Sequence, residues 1–288
     1  MEIVREKKVM RAIVEEAKRS GLVVGLVPTM GYFHQGHLEL MRRAAADCDV
    51  VVVSLFVNPT QFVPGEDFEE YPRDLERDCA LARGAGVDYV FNPDVREMYP
   101  GGDRTHVEVE GLSDVMCGAA RPGHFRGVAT VVAKLFNIVP AQRAYFGQKD
   151  GQQLAVLRRM ALDLDFDIEI TGVPTVREEG GLAMSSRNAY LTDEQASRAR
   201  CLSSALVRAS DLVESGERRA EAVARAVEEE VAASPGVDLE YVAICDKIFL
   251  QPLEELHGTV MVAVAARVGK ARLIDNVIIE IEQGDAAD

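Results

Sequence analysis

Residues 23–46 read VVGLVPTMGYFHQGHLELMRRAAA, and this stretch decides the fold. Val23–Val27 is a valine-rich apolar run, which predicts a short buried strand. From Pro28 to His37 the composition changes to that of a turn, with proline, two glycines and two histidines. Between Leu38 and Ala46 apolar residues return at three- and four-residue spacing, the pattern of an amphipathic helix. A strand that runs through a short turn into a helix is the repeating unit of a parallel sheet.

The same alternation continues outward. Val50–Val57 is almost continuously apolar, as a strand covered on both faces should be. Asp74–Ala85 predicts a helix, and Tyr89–Phe91 a third strand stopped by Pro93. Val128–Val139 reads as a buried helix, Ala144–Phe146 as a strand, Gln152–Leu162 as a helix and Asp167–Gly172 as a strand. The N-terminal MEIVREKKVMRAIVEEAKRSG reads as one amphipathic helix, too charged for a signal peptide. These elements predict an α/β fold, a Rossmann-like parallel sheet with helices on both faces. The character changes at Val176–Asn188, rich in Glu, Gly and Ser. Helices over Thr192–Ser215 and Arg218–Ala233 follow, the first opened by a Thr192/Gln195 capping box. Strands at Leu239–Asp246, Thr259–Val268 and Leu273–Ile281 complete a smaller α+β domain. The expected domains are therefore 1–175 and 176–288.

Composition narrows the function. The 288 residues include 32 basic and 47 acidic side chains, a net charge of −15, so nonspecific binding to nucleic acid or an anionic membrane is disfavoured. No apolar run reaches the roughly 18 residues needed to span a bilayer. The five cysteines lie far apart without any C-x-x-C pair, which argues against a disulfide framework or zinc knuckle and for a reducing cytoplasm. Within this acidic chain, Cys117–Arg159 carries seven basic residues against one acid, Asp150, a basic band suited to a nucleotide pocket.

Four short segments carry chemistry. In the first, His34 and His37 lie three apart where a helix begins, and a helix N-terminus with nearby Gly31 and Gly36 suits a phosphate. A glycine-containing turn with two surface histidines is the bland alternative, and two histidines alone do not make a zinc site. In the second, Asn58 and Gln61 follow the second strand, where ligands of open α/β sheets bind, although a turn with Asn58 capping the following loop is at least as good a local reading. The acidic Gly65–Arg73 stretch after them reads as a solvated loop. In the third, Phe146–Gln153, Lys149 offers a mobile cation, Asp150 an acceptor for ribose hydroxyls, and Gln153 an amide one turn into a helix, although a lysine and an aspartate at a helix start are also ordinary capping chemistry. In the fourth, Ser185, Ser186 and Arg187 resemble a polyphosphate clamp, although S-S-R also occurs in ordinary linkers. Arg121-Pro-Gly-His124-Phe-Arg126 adds cationic groups, with His124 read as structural.

Taken in order, P-T-M-G-x-x-H-x-G-H, F-V-N-P-T-Q-F, E-D-F-x-x-Y-P-R, R-P-G-H-F-R-G-V, F-G-x-K-D-x-Q-Q and M-S-S-R-N resemble the pantoate–β-alanine ligase family of the HIGH-type nucleotidyltransferase superfamily. The resemblance extends from Pro28 to Arg272–Asn276. It implies condensation of pantoate with β-alanine, using ATP and magnesium, through an enzyme-bound pantoyl adenylate. It further implies a cytoplasmic homodimer whose smaller domain closes over the active site. The implied ATP contacts are Met30, Gly31, His34, His37, Gly147, Gln148, Lys149, Asp150, Val176 (through its backbone), Met184, Ser185, Ser186 and Arg187. His37 takes the family's proton-donor position, and His34, Lys149 and Arg187 complete the implied catalytic set. Gln61 and Gln153 would hold pantoate, with Gln61 also touching β-alanine. The magnesium ligands are not legible.

The physical reading is compatible with this assignment. A carboxylate attacking the α-phosphate meets like-charge repulsion, which His34, His37, Lys149 and Arg187 would offset. No Ser-His-Asp or Cys-His arrangement supplies a protein nucleophile. Two departures stand out. Met116-Cys117-Gly118 replaces the family's common L-E-G; if that carboxylate orders Arg121 or nearby polar groups, its loss would either weaken the site or be met by a compensating partner, and Gly151 stands where an aromatic is common. Two rival functions remain on sequence grounds: a nucleotidyltransferase with a stable nucleotide-linked product, and a non-catalytic nucleotide-binding regulator.

Overall fold

The computed structural model describes residues 1–102 and 104–281. By internal contacts the chain forms two compact units. The first comprises Met1–Gln148 and Val156–Pro174; the second comprises Lys149–Ala155 and the chain from Thr175 onward.

The first unit is built on strands β1 (Glu2–Val4), β2 (Val24–Thr29), β3 (Val50–Leu55), β4 (Tyr89–Phe91), β5 (Arg143–Gly147) and β6 (Glu169–Val173). They form one parallel sheet in the order β1-β4-β3-β2-β5-β6. Its helices are α1 (Lys7–Arg19), α2 (Gln35–Asp47), α3 (Leu75–Gly84), α4 (Val95–Met98), α5 (Met116–Ala120) and α6 (His124–Ile138). Helix α7 (Gly151–Asp163) begins in the second unit and ends in the first. Val24, Leu26, Val27, Val52 and Val53 are fully buried, which explains why β2 and β3 show no polar alternation. Each such side chain contributes roughly 1.5–3 kcal/mol of hydrophobic stabilisation before the entropy of ordering is counted. The Rossmann-like sheet expected from the sequence is the one observed.

The order has a functional consequence. From β2 the chain moves outward to β3 and β4, then returns to the other side of β2 with β5. Strand β2 is therefore at the point where the direction of winding reverses, the place where parallel α/β sheets bind ligands beyond their strand ends.

Two local expectations are corrected. The N-terminus is not one continuous helix, because Glu2–Val4 pairs with Tyr89–Phe91 and buries Val4 before α1 begins. The predicted Thr192–Ser215 helix is two, α8 (Asp193–Ala199) and α9 (Cys201–Glu214), joined at Arg200, whose dihedrals remain helical. The Thr192/Gln195 capping box is present.

The second unit also contains α10 (Ala220–Ala232) and a sheet of β7 (Val237–Asp246), β8 (Gly258–Val268) and β9 (Ala271–Ile281). These strands are antiparallel in the order β7-β8-β9. Val260, Val262, Val264, Ala266 and Val268, alternating along β8, pack in one core with Leu202 and Leu206 of α9 and Val223 and Val227 of α10. Among the described residues, no helix is long and apolar enough to cross a membrane.

Candidate functional site

The turn after β2 is the most constrained part of the first unit. Gly31 has φ +90° and Tyr32 has φ +52°, so the backbone passes twice through the left-handed region. A Cβ at Gly31 would sit 3.0 Å from the Asp78 carboxylate, and this position therefore requires glycine. Asp78, on the inner face of α3 and 1% exposed, accepts the amides of Tyr32 (2.6 Å) and Phe33 (2.7 Å). Burial pushes its carboxyl above the ordinary value, more than the two amides and Arg77 pull it down. Arg77 donates to the Phe33 carbonyl at 2.9 Å and lies over the Tyr32 ring. The turn is held from below by a carboxylate and from the side by a guanidinium.

The two histidines sit where that turn becomes a helix. His34 is the N-cap of α2, its Nδ1 accepting the Gly36 amide at 3.1 Å. The His37 Nδ1 accepts the His34 amide at 3.3 Å, and the rings lie 4.0 Å apart. A backbone amide can only donate, so each neutral imidazole carries its proton on Nε2. Two imidazole donors and the positive end of a 13-residue helix thus occur at the carboxyl end of β2. That combination favours an anion with more than one oxygen.

The Asn58–Gln61 turn follows β3 at the same edge of the sheet. Asn58, 1% exposed, accepts the Tyr99 hydroxyl at 2.8 Å and the Thr60 hydroxyl at 3.0 Å through Oδ1. Its Nδ2 donates to the Gly127 carbonyl (3.2 Å) and to Gln61 Oε1 (3.0 Å). With the Gln61 carbonyl engaged, its NH2 end points forward, donating to the Met30 sulfur at 3.2 Å. The amide is oriented as a donor, the polarity that a substrate carboxylate or hydroxyl oxygen needs.

A charged cluster supports this turn from behind. Arg121 binds Glu66 through both Nε and Nη2, at 2.5 and 2.6 Å. Arg121 also donates to His124 Nε2, which places the remaining proton on Nδ1, where it meets the Gln61 carbonyl at 2.7 Å. Burial alone would raise Glu66, but the hydrogen bonds and charge of Arg121 outweigh it and hold this carboxyl below its ordinary value. The 65–73 stretch is accordingly no merely solvated loop. Glu66 is committed to Arg121, Tyr71 is buried, and Arg73 binds the carbonyls of Phe68, Glu69 and Tyr71. Cys117 is buried, and Glu66 supplies the carboxylate partner that Arg121 requires. His124 bridges the Arg121 guanidinium and the Gln61 backbone carbonyl, contacts compatible with the structural reading of its sequence context.

The basic band is also less open than its composition implies. Arg121 is paired with Glu66, Arg143 with Glu169 and Arg159 with Asp163. Lys149, largely buried, has its ammonium 3.9 Å from Asp150, Lys134 lies over the Tyr99 ring, and Arg158 donates to the Ile170 carbonyl.

In the second unit, the residues resembling a linker form a hairpin. Arg177 pairs with Ala183, Glu178 donates its amide to Leu182, and Met184 donates to the Val176 carbonyl at 2.9 Å. The Ser185 side chain then caps the single turn Ser186–Tyr190 by accepting the Arg187 amide at 3.2 Å. Asn188 ties that turn back to Glu178 and to the Ala183 carbonyl. Gln153 lies half-buried on the first turn of α7.

Met30, Gly31, His34, His37, Gln61, Gly147 and Gln148 thus belong to the first unit, each at the carboxyl end of β2, β3 or β5. Lys149, Asp150, Gln153, Val176 and Met184–Arg187 belong to the second. Sequence reasoning missed Asp78, Tyr99 and the bond from Glu66 to Arg121. An Asp between apolar positions of a predicted helix, next to Cys79, was the one available signal for Asp78.

Comparison with known proteins adds a separate line of support. The family model described as pantoate-beta-alanine ligase matches residues 2–278. A pantothenate synthetase of Moorella thermoacetica is 58% identical over 281 residues, covering 98% of this chain and 99% of the relative. The one from Heliobacterium modesticaldum is 55% identical, covering 98% and 100%. The crystal structure of pantothenate synthetase from Thermus thermophilus superposes with TM-score 0.91 at 51% identity, covering 96% of this chain and 99% of that one. A pantoate-beta-alanine ligase from Francisella tularensis, crystallised with beta-gamma ATP and beta-alanine, has TM-score 0.79 and 32% identity, covering 96% and 97%.

Proposed function

Because the chain belongs to the pantoate–β-alanine ligase family, we propose that it joins pantoate to β-alanine using ATP, through a pantoyl adenylate. It is an enzyme that forms a carbon–nitrogen bond. The observation that carries the mechanistic reading is the pair of imidazoles at the α2 N-terminus whose Nδ1 atoms accept backbone amides, together with a Gln61 side-chain amide turned to donate at the end of the neighbouring strand.

In the first half-reaction a pantoate carboxylate oxygen forms a bond to the α-phosphorus of ATP. The bond from that phosphorus to the bridging oxygen breaks, and its electron pair leaves on pyrophosphate. His34, His37, Lys149 and Arg187 are assigned to the phosphates, where donors aimed at developing charge act most strongly. His37 is assigned as proton donor, consistent with its Nε2–H. Met30, Gly31, Gly147, Gln148, Asp150, Val176, Met184, Ser185 and Ser186 complete the proposed ATP contacts. Gln61 and Gln153 hold pantoate as neutral donors, which orient its carboxylate without quenching its nucleophilicity.

In the second half-reaction the β-alanine amine attacks the acyl carbon, the carbon–oxygen bond to AMP breaks, and the amine loses a proton. Gln61 is assigned a second contact here. Of the assigned residues, Met30, Gly31, His34, His37, Gln61, Gly147 and Gln148 fall in the first compact unit, and Lys149, Asp150, Gln153, Val176 and Met184–Arg187 in the second.

Magnesium is placed with the substrate. Among the described residues no group of three or more His, Cys, Asp or Glu side chains could hold a metal ion. The ion would be bound through phosphate oxygens and water as the magnesium salt of ATP. A cytoplasmic homodimer completes the proposal.

The test is AMP release measured with ATP, pantoate and β-alanine, omitting each in turn. AMP formation that needs all three supports the reading. Multiple-turnover AMP release without β-alanine would reject it.

A further inference from the structure

Asp275 and Asn276 are consecutive on β9, so their side chains leave opposite faces of the strand. Both are nearly inaccessible, at 3% and 8% exposure. Asp275 binds Arg177 through two nitrogens, at 2.6 and 3.1 Å, and Arg177 also donates to the Gly181 carbonyl. Asn276 donates from Nδ2 to the Lys149 carbonyl at 2.8 Å, while its backbone N–H donates to Asp275 Oδ1. One dipeptide therefore ties down both the 176–184 hairpin and the start of α7.

Gly151 makes this approach feasible. A Cβ there would lie 2.7 Å from the Met261 sulfur and 3.3 Å from the Asn276 amide nitrogen. In the β8–β9 register Asn276 pairs with Ala263 and Met261 with Ile278, so Met261 and Asn276 lie on one face of the sheet. That face rests against residue 151 only because 151 has no side chain. The absence of an aromatic here is matched by what fills the space.

We propose that Asn276 is a positioning residue for adenylate formation. It fixes the Lys149 backbone, and thereby where the ammonium can reach, with Gly151 as the gap that admits it. The proposal rests on the assignment of Lys149 to the ATP phosphates. Asn276→Leu keeps size and neutrality while removing the donor. Single-turnover pantoyl-adenylate formation should slow by about 10- to 100-fold, the scale of a misplaced catalytic group. Half-saturation by pantoate should stay unchanged. In a Lys149→Ala background the same substitution should cost less than about twofold more, because both changes act through one group.

A loss that adds fully to that of Lys149→Ala would overturn the positioning role alone. A Lys149→Ala enzyme of wild-type rate would overturn the Lys149 assignment and this inference with it. Gly151→Ala leaves Asn276 intact but forces a methyl against Met261, and it should give the same signature. If Asn276→Leu fails to fold, Gly151→Ala decides, and a wild-type rate in that variant overturns the proposal.

Discussion

The turn after β2 and the hairpin of residues 176–184 are both short, polar and glycine-bearing, yet they are held in different ways. The β2 turn is fixed by neighbours of its own layer. A parallel strand delivers it, a helix N-terminus receives it, and Asp78 anchors two of its amides. The hairpin buries Leu182 in the core of the second unit and is tied through Arg177 to Asp275, 98 residues later in the chain. A turn proposed to meet phosphate can thus be held by a neighbouring helix or tied to a distant strand. Substitutions should separate the two kinds.

The largest effects should come from the groups assigned to the phosphates. His34→Ala in the locally built turn and Lys149→Ala in the remotely held segment should each remove roughly 3–4 kcal/mol of transition-state stabilisation. Single-turnover pantoyl-adenylate formation measures this, and a wild-type rate in either variant breaks the assignment. Next comes the anchor. Asp78→Asn places an NH2 group against backbone donors, and should destabilise the first unit by about 2 kcal/mol in urea titration. Adenylate formation should fall in the same variant, since both histidines follow the turn that Asp78 holds. Stability and rate unchanged together would show that the turn needs no anchor.

How much of this was legible in the sequence follows the same division. Strands β2 and β3 and helix α2 are readable because burial on both faces removes polar alternation and a helical stripe repeats every three or four residues. The His34/His37 pair is readable because its spacing and its helix start coincide. The Glu66–Arg121 bond is not, since 55 residues separate two charges that each look like surface. Asp275 and Asn276 are not, because in a strand a polar pair carries no mark of its partner. Strand β1 was hidden by the helix that follows it: three residues carry too little pattern to compete with thirteen.

Smaller effects concern the pantoate contacts. Gln61→Ala and Gln153→Ala should raise the pantoate concentration for half-saturation about tenfold, a loss of roughly 1.4 kcal/mol of binding, and change that for ATP less. Unchanged pantoate saturation would contradict the assignment. The smallest is a pH effect behind the same turn. The lowered Glu66 carboxyl contributes stability that is complete above its ordinary value of 4.5 and is lost as pH falls through its folded value. Glu66→Gln should therefore cost about 1–2 kcal/mol at pH 7, with wild type and variant converging in acid. A difference that persists unchanged at pH 3 would mean the pair contributes nothing through its charge.

Attack of a pantoate carboxylate oxygen on the α-phosphate is the step on which every assignment above depends. It is tested most directly with pantoate labelled by oxygen-18 in its carboxylate, followed by mass spectrometry of the AMP released in the presence of β-alanine and unlabelled water. An acyl adenylate transfers one labelled oxygen to each AMP, and that is the result expected. AMP free of label would contradict it.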